Sequence, residues 1–339
     1  MPNRLLAITL LLITASVSHA NDLYSVVLDS GEIRRLTEGN SRKYGSCMWS
    51  PDGKTIALDS WRDGEGFADS VIILVDVASG RETIVGPGAM PSWSPDDGRF
   101  VVHTYNPHQI VVVEYIKPDA PVNGAEQREP KREVILDQWG SPRWHPDGEQ
   151  IVTLRRGGLS SFNLQKKQQH RLLPGRKAFQ WRPELGFSIS PDGRRYCFKG
   201  EGGLGVFEPH YKPTANNEPP TVSDDSAVRW LVAGDIYTHS CWSPDSKRIA
   251  FAQISPRISA FRLFTVEADG DAPPAEIEAI PATWHCRTPA WSPDGKSIAF
   301  LADPISPPKH VSKAAPTQRE LDGFFKNLSD ETPAGPKSL

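Results

Sequence analysis

At 339 residues, 38% apolar, 23% charged and with a formal net charge of −3, the chain is large enough for one big all-β domain or two ordinary ones. So small a net charge gives no global basic field to attract nucleic acid or an anionic membrane, and nucleic acid is not expected as a partner. The 31 Pro and 27 Gly imply many turns, and the 10 Trp imply a large core residue used repeatedly.

The first 20 residues read as a signal peptide. Arg4 supplies a positive start, Leu5–Ala15 an apolar stretch, and Ser18-His19-Ala20 a small-x-small cleavage site before Asn21. The expected product is exported, to the periplasm or outside the cell. Later apolar runs, Val71–Val77 and Ile110–Ile116, are too short to span a bilayer. Cys47, Cys197, Cys241 and Cys286 would then meet an oxidising compartment. They allow three complete pairings or none, and their spacing fits no zinc pattern.

From Leu23 the chain is a series of short β-runs. Leu23–Thr37 reads as a hairpin, and after it one unit recurs six times, as MWSPDGKTIAL (Met48–Leu58), SWSPDDGRFVV (Ser92–Val102), RWHPDGEQIVT (Arg143–Thr153), SISPDGRRYCF (Ser188–Phe198), CWSPDSKRIAF (Cys241–Phe251) and AWSPDGKSIAF (Ala290–Phe300). The motif prolines are spaced by 44, 51, 45, 53 and 49 residues, the period of four-stranded propeller blades. Proline presets φ for a turn, Asp can accept from nearby backbone N–H groups, and Gly tolerates positive φ, so each unit is a strand–turn–strand hairpin. The Trp before the turn is read as packing between blades. A second hairpin follows, as in Val71–Val85 and Phe261–Ile280. The N-terminal hairpin precedes the first unit and the last unit lacks its second hairpin. The expected fold is therefore all-β, a six-bladed β-propeller of four-stranded antiparallel blades over 21–302, closed by the N-terminal hairpin completing the last blade.

The pattern P-x-W-S-P-D-G-K-x-I-A-F, nearly complete at Pro289–Phe300, resembles the WD-like repeat of TolB-type propellers. The resemblance implies the fold and says little of function. The chain has no room before Leu23 for the α/β domain that precedes the TolB propeller, so a stand-alone propeller is expected, without the Tol-Pal partners.

Two polar, Pro-rich insertions, Lys117–Glu133 and Glu208–Ala227, are expected as exposed loops between the third and fourth strands of their blades. The tail 303–339 is Pro-rich. Leu321, Phe324, Phe325 and Leu328 have helical spacing, compatible with a short helix over 318–328, a partner-binding peptide or disorder.

No nucleophile elbow, HExxH motif or phosphate loop is present, and no metal or other cofactor is expected. Function then falls to the channel mouth opposite the PDG turns. Residues preceding each unit (Tyr44, Trp139, Glu184, Tyr237, His239, Arg287) and those in the following loops (Trp61, Arg62, Tyr105, His108, Arg155, Arg156, Lys199, Glu201) mix rings with charge. The leading expectation is an exported, non-catalytic, monomeric module that binds a protein or peptide. The rival is a carbohydrate-active propeller, a lyase of acidic oligosaccharides, which requires His239, Arg287 and another His or a metal to converge in the channel.

Overall fold

The computed structural model describes residues 21–38, 42–96, 98–115, 130–155, 158–172, 186–200, 202–208, 228–234, 236–255 and 260–304. The expected leader, the expected tail helix over 318–328, most of the two expected insertion loops (116–129 and 209–227) and the residues Arg156, Glu184 and Glu201 lie outside the described residues. The described chain forms six four-stranded antiparallel sheets. The first is β3 (Arg42–Trp49), β4 (Thr55–Arg62), β5 (Val71–Asp76) and β6 (Glu82–Pro87). The second is β7 (Ala89–Trp93), β8 (Arg99–Tyr105), β9 (His108–Glu114) and β10 (Arg132–Leu136). The third is β11 (Ser141–Trp144), β12 (Gln150–Arg155), β13 (Gly158–Asn163) and β14 (Gln168–Arg171). The fourth is β15 (Phe187–Ile189), β16 (Tyr196–Gly200), β17 (Gly203–Phe207) and β18 (Val228–Val232). The fifth is β19 (Ile236–Trp242), β20 (Arg248–Ser255), β21 (Ala260–Glu267) and β22 (Ala275–Glu276). The sixth has the order β2-β1-β24-β23, from β1 (Asp22–Val27), β2 (Ile33–Arg35), β23 (Trp284–Trp291) and β24 (Ser297–Pro304), with Leu23 opposite Leu301 and Val26 opposite Ile298. This is a six-bladed β-propeller. Its only helical element among the described residues is a 3-10 turn at Phe67–Asp69, and no described helix is long and apolar enough to cross a membrane.

The core lies between blades. Alternate residues of a strand face opposite sides of its sheet, so each second strand supplies two neighbours. Phe251 packs with Trp242 against the fourth blade, while Ala250 and Ala252 join Phe300 and Trp291 of the sixth. Leu58, Phe251 and Phe300, at equivalent positions, are wholly buried. Burying such a side chain contributes about 1.5–3 kcal/mol.

The repeated turns share one set of hydrogen bonds. Ser50 Oγ donates to Asp52 Oδ1 (2.7 Å), which also accepts from Lys54 N–H (3.0 Å), and Thr55 N–H donates to Ser50 Oγ (3.0 Å). The last blade repeats this with Ser292, Asp294, Lys296 and Ser297, at 2.6, 3.0 and 2.9 Å. Gly53 and Gly295, at φ of 70° and 75°, occupy the left-handed region, and Ser246 does so at 60° in the fifth blade. In the third blade His145 replaces Ser, and its Nδ1 lies 3.0 Å from Asp147 Oδ2.

In three blades the motif Trp reaches back to the preceding blade, whereas Trp291 Nε1 donates to Gly295 O of its own turn (3.1 Å). Nε1 donates from Trp49 to Ala290 O (3.0 Å), from Trp93 to Met48 O (3.2 Å) and from Trp242 to Ser188 O (3.3 Å). From the other side an Arg just past the preceding turn covers the indole. Arg99 lies over Trp144, Arg195 over Trp242 and Arg248 over Trp291, each 4.9 Å from the ring centre.

Candidate functional site

Strands β3, β7, β11, β15, β19 and β23 are innermost and run from the expected mouth to the PDG turns, so the channel has two different ends. At the mouth end, the loop after β4 carries Trp61 and Phe67. The 3-10 turn holding Phe67 is fixed by Asp69, whose Oδ2 accepts from Gly66 N–H (2.9 Å). Trp61 meets Phe67 edge-on (5.2 Å between centres), and Phe67 meets Tyr105 of the second blade (5.4 Å). Tyr105 packs on His103 (4.5 Å), which stacks on His108 (5.3 Å, 4° between planes) and touches Trp139 of the third blade (5.8 Å). Trp61, Phe67, Tyr105 and Trp139 are half-buried and His108 is exposed, so the rings form one patch across three blades. Beneath them His103 is fully buried. Burial, reinforced by His108, depresses it to about 3, so both imidazoles stack without His103 carrying charge near neutral pH. Their Nδ1 and Nε2 atoms are 3.3 Å apart.

The other expected mouth residues are placed differently. Arg155 Nη1 donates to Gln138 Oε1 (2.6 Å), beside Trp139. Arg62 is exposed at the rim, its N–H donating to Glu65 Oε2 (2.7 Å). Tyr44 is buried in the core between the sixth and first blades, its hydroxyl donating to Glu82 Oε1 (2.8 Å). Lys199 is half-buried at the end of β16. In the fifth and sixth blades a second group forms. Tyr237 stacks near His239 (6.0 Å) and meets Phe261 edge-on (5.2 Å), and Phe261 meets His285 (5.5 Å). Arg287 Nη2 donates to Asp303 Oδ2 (2.8 Å). Burial depresses His239 to about 3, with Arg143 adding to the effect, and His285 to about 4, with Arg287 adding. Among the described residues no three His, Cys, Asp or Glu side chains come together as metal ligands.

At the turn end the channel widens into a cavity of about 190 Å³ whose wall includes Arg143, Ser188, His239, Ser240, Thr288 and Pro293. His239 is the one expected mouth residue in that wall. The inner strands β3, β7, β19 and β23 each carry an irregularity just before the motif, between Tyr44 and Cys47, Ala89 and Ser92, Ile236 and Ser240, and Arg287 and Ala290. In β3 this bulge is held by Asp59, whose Oδ1 accepts from Ser46 N–H (2.6 Å) and Ser46 Oγ–H (2.5 Å). A Cβ on Gly45 would lie 2.7 Å from Asp59 Oδ2, so the carboxylate approaches bare backbone. Burial pushes Asp59 up to about 6 against those bonds. All four cysteines are free thiols, and burial raises each of them, Cys241 to about 11.

Sequence reading missed Phe67, His103 and Arg143. Phe67 and His103 carry no periodic signal. Arg143 does carry one, because the residue before the motif Trp is Met48, Ser92, Arg143, Cys241 or Ala290, with Ser188 before Ile189 in the fourth blade. Only one of the six is charged.

These features define a class: a six-bladed propeller with a ring-lined mouth at one end of its channel and, at the other, a largely apolar cavity with Arg143 in its wall. Among solved structures, a protein assigned as TolB from Agrobacterium tumefaciens superposes with a TM-score of 0.55 at 14% identity, covering 84% of this chain and 98% of that one. TolB from Acinetobacter baumannii gives 0.53 at 13% identity, and the match spans 84% of this chain and 64% of that one. A looser likeness, TM-score 0.41, runs to an oligogalacturonate lyase in complex with manganese. No family model matches the chain, and no curated protein matches its sequence. At these identities the likeness is one of fold.

Proposed function

We propose that this chain is an exported, non-catalytic, monomeric binding module that takes a protein or peptide partner on its mouth face. The observation that carries the reading is the contiguous patch of Trp61, Phe67, Tyr105, His108 and Trp139 across three blades. Large, rigid, half-exposed rings give contact area with little loss of side-chain entropy, and Arg62 at the rim adds a charged donor. The rival reading, cleavage of an acidic oligosaccharide, needs a basic imidazole and a free guanidinium. His239 at about 3 is a weak base, and Arg287 is bonded to Asp303.

Photo-crosslinking residues placed singly at Trp61, Tyr105 and Trp139 test this in the native host, against controls at the exposed outer-strand residues Ile84 and Val134. Mouth positions should give a discrete protein adduct and outer positions none. The same adducts from both, or from outer positions alone, would remove the mouth from consideration. Mass determination of the mature chain, expected to begin at Asn21, tests export.

A further inference from the structure

We propose that the turn end of the central channel is a binding site for a small oxyanion, a carboxylate, phosphate or sulfate group held by the Arg143 guanidinium. Arg143 projects from β11, is only 8% exposed, and lies in the wall of the 190 Å³ cavity. Its Nε donates to Phe187 O (3.1 Å) and its Nη1 to Pro142 O (2.7 Å). Both acceptors are neutral carbonyls, and among the described residues it forms no ion pair. A buried cation without a counter-charge is costly, and a guanidinium whose Nε and Nη1 are tied down is aligned to present its remaining N–H groups to an oxyanion as a fork. Asp59 is the acid whose field reaches it, but the two make no salt bridge: Asp59 Oδ1 is taken by Ser46, and its buried Oδ2 has no hydrogen-bond partner.

The rest of the wall adds polar groups. Ser188 Oγ and Ser240 Oγ lie 3.2 Å apart and Ser240 Oγ–H donates to Cys197 Sγ (3.4 Å), so an oxyanion would have to draw these hydroxyls from partners they already hold. Thr288, 2% exposed, has an Oγ1 with no hydrogen-bond partner. Thr288 also stands at φ 47°, a left-handed conformation that a β-branched residue rarely adopts, and Met90 holds φ 56° at the equivalent place in the second blade. Strain of this kind persists where the surrounding structure imposes it, and such positions cluster at ligand sites. The volume suits a molecule of several non-hydrogen atoms, since a water's share of liquid volume is about 30 Å³.

Calorimetric titration of the full chain with inorganic phosphate, sulfate and acetate, each at fixed ionic strength set by sodium chloride, tests the site. At least one should bind saturably with a 1:1 stoichiometry, and the ranking identifies the group. Arg143→Met should weaken that binding at least tenfold, and Arg143→Lys, which keeps the charge and loses the fork, severalfold. The mouth variant Tyr105→Ala should leave it unchanged, so the anion site stands or falls independently of the mouth. Absence of saturation with all three anions would overturn the proposal, as would equal affinity in folded Arg143→Met. Should Arg143→Met not fold, unchanged affinity in Arg143→Lys would overturn it.

Discussion

The two ends of the channel are built on opposite principles. At the turn end, Ser50, Ser190, Ser243 and Ser292 donate to Asp52, Asp192, Asp245 and Asp294 at 2.5–2.7 Å, and the same backbone bonds follow each time. Among the described residues the mouth shows no such repetition. The first blade contributes Trp61 and Phe67, the second a histidine pair, the fifth Tyr237 against Phe261. What every blade needs is repeated, and what the molecule needs once is singular. A change at a repeated position should therefore cost stability, and a change at a singular one should cost recognition.

The largest effect expected is in the interblade core. Phe300→Ala should destabilise the fold by about 3–5 kcal/mol in urea unfolding, the usual result of emptying a fully buried Phe site. A cost below about 1 kcal/mol would contradict the packing described.

The buried histidines should govern acid sensitivity. His103, His239 and His285 have folded values of about 3, 3 and 4, below the ordinary 6.5, so the unfolded chain takes up protons that the native chain refuses. Their contribution is complete above about pH 6.5 and is lost as pH falls toward 4, at about 1.4 kcal/mol per pH unit for each histidine. Asp59 acts in the opposite sense. Raised from 3.8 to about 6, it favours the fold at low pH and gives up that contribution between those values. The net expectation is a stability decline on acidification from pH 6.5 to 4, steeper in Asp59→Asn. Unfolding curves at pH 7, 6 and 5 measure it, and a flat profile would mean that these imidazoles protonate in the native state.

The turns give a smaller and sharper test. Asp52→Ala and Asp294→Ala each remove an acceptor of two hydrogen bonds and should each cost about 1–2 kcal/mol. Near-equal losses support the equivalence of the repeats, whereas a twofold disparity would show the blades to be less alike than their bonds. Smallest of all should be the stability change in Trp61→Ala, within about 1 kcal/mol because the ring is half-buried, while partner adducts at Tyr105 decline severalfold.

The same division explains what was legible beforehand. Six copies of a hairpin reveal a fold because each repeat confirms the others, and the blade count, antiparallel sheets and interblade Trp packing were readable from residue spacing. A singular residue has no such support. Tyr44 and Tyr237 both stand seven residues before the motif proline, yet Tyr44 is sealed in the core beneath Glu82 whereas Tyr237 joins the mouth rings. That difference depends on which neighbours converge, a tertiary matter. His103 carried no signal of its own, and the β8–β9 hairpin stacks it on His108. Arg143 was visible as the odd member of an otherwise uncharged column, and it became meaningful once the cavity was seen beside it.

The Trp contact between blades has a direction. Three of the five motif indoles donate backward and three Arg residues cover the next blade's indole, so these blades have a giving side and a receiving side. The interface is thus the intramolecular counterpart of a head-to-tail contact between identical subunits, the kind that either closes by rotation or continues indefinitely. A proteolytic fragment of a few blades would expose both sides at once, each complementary to the other. Such fragments should associate end to end, and size measurement of a chain cleaved in the loop between β17 and β18 and then separated would reveal it.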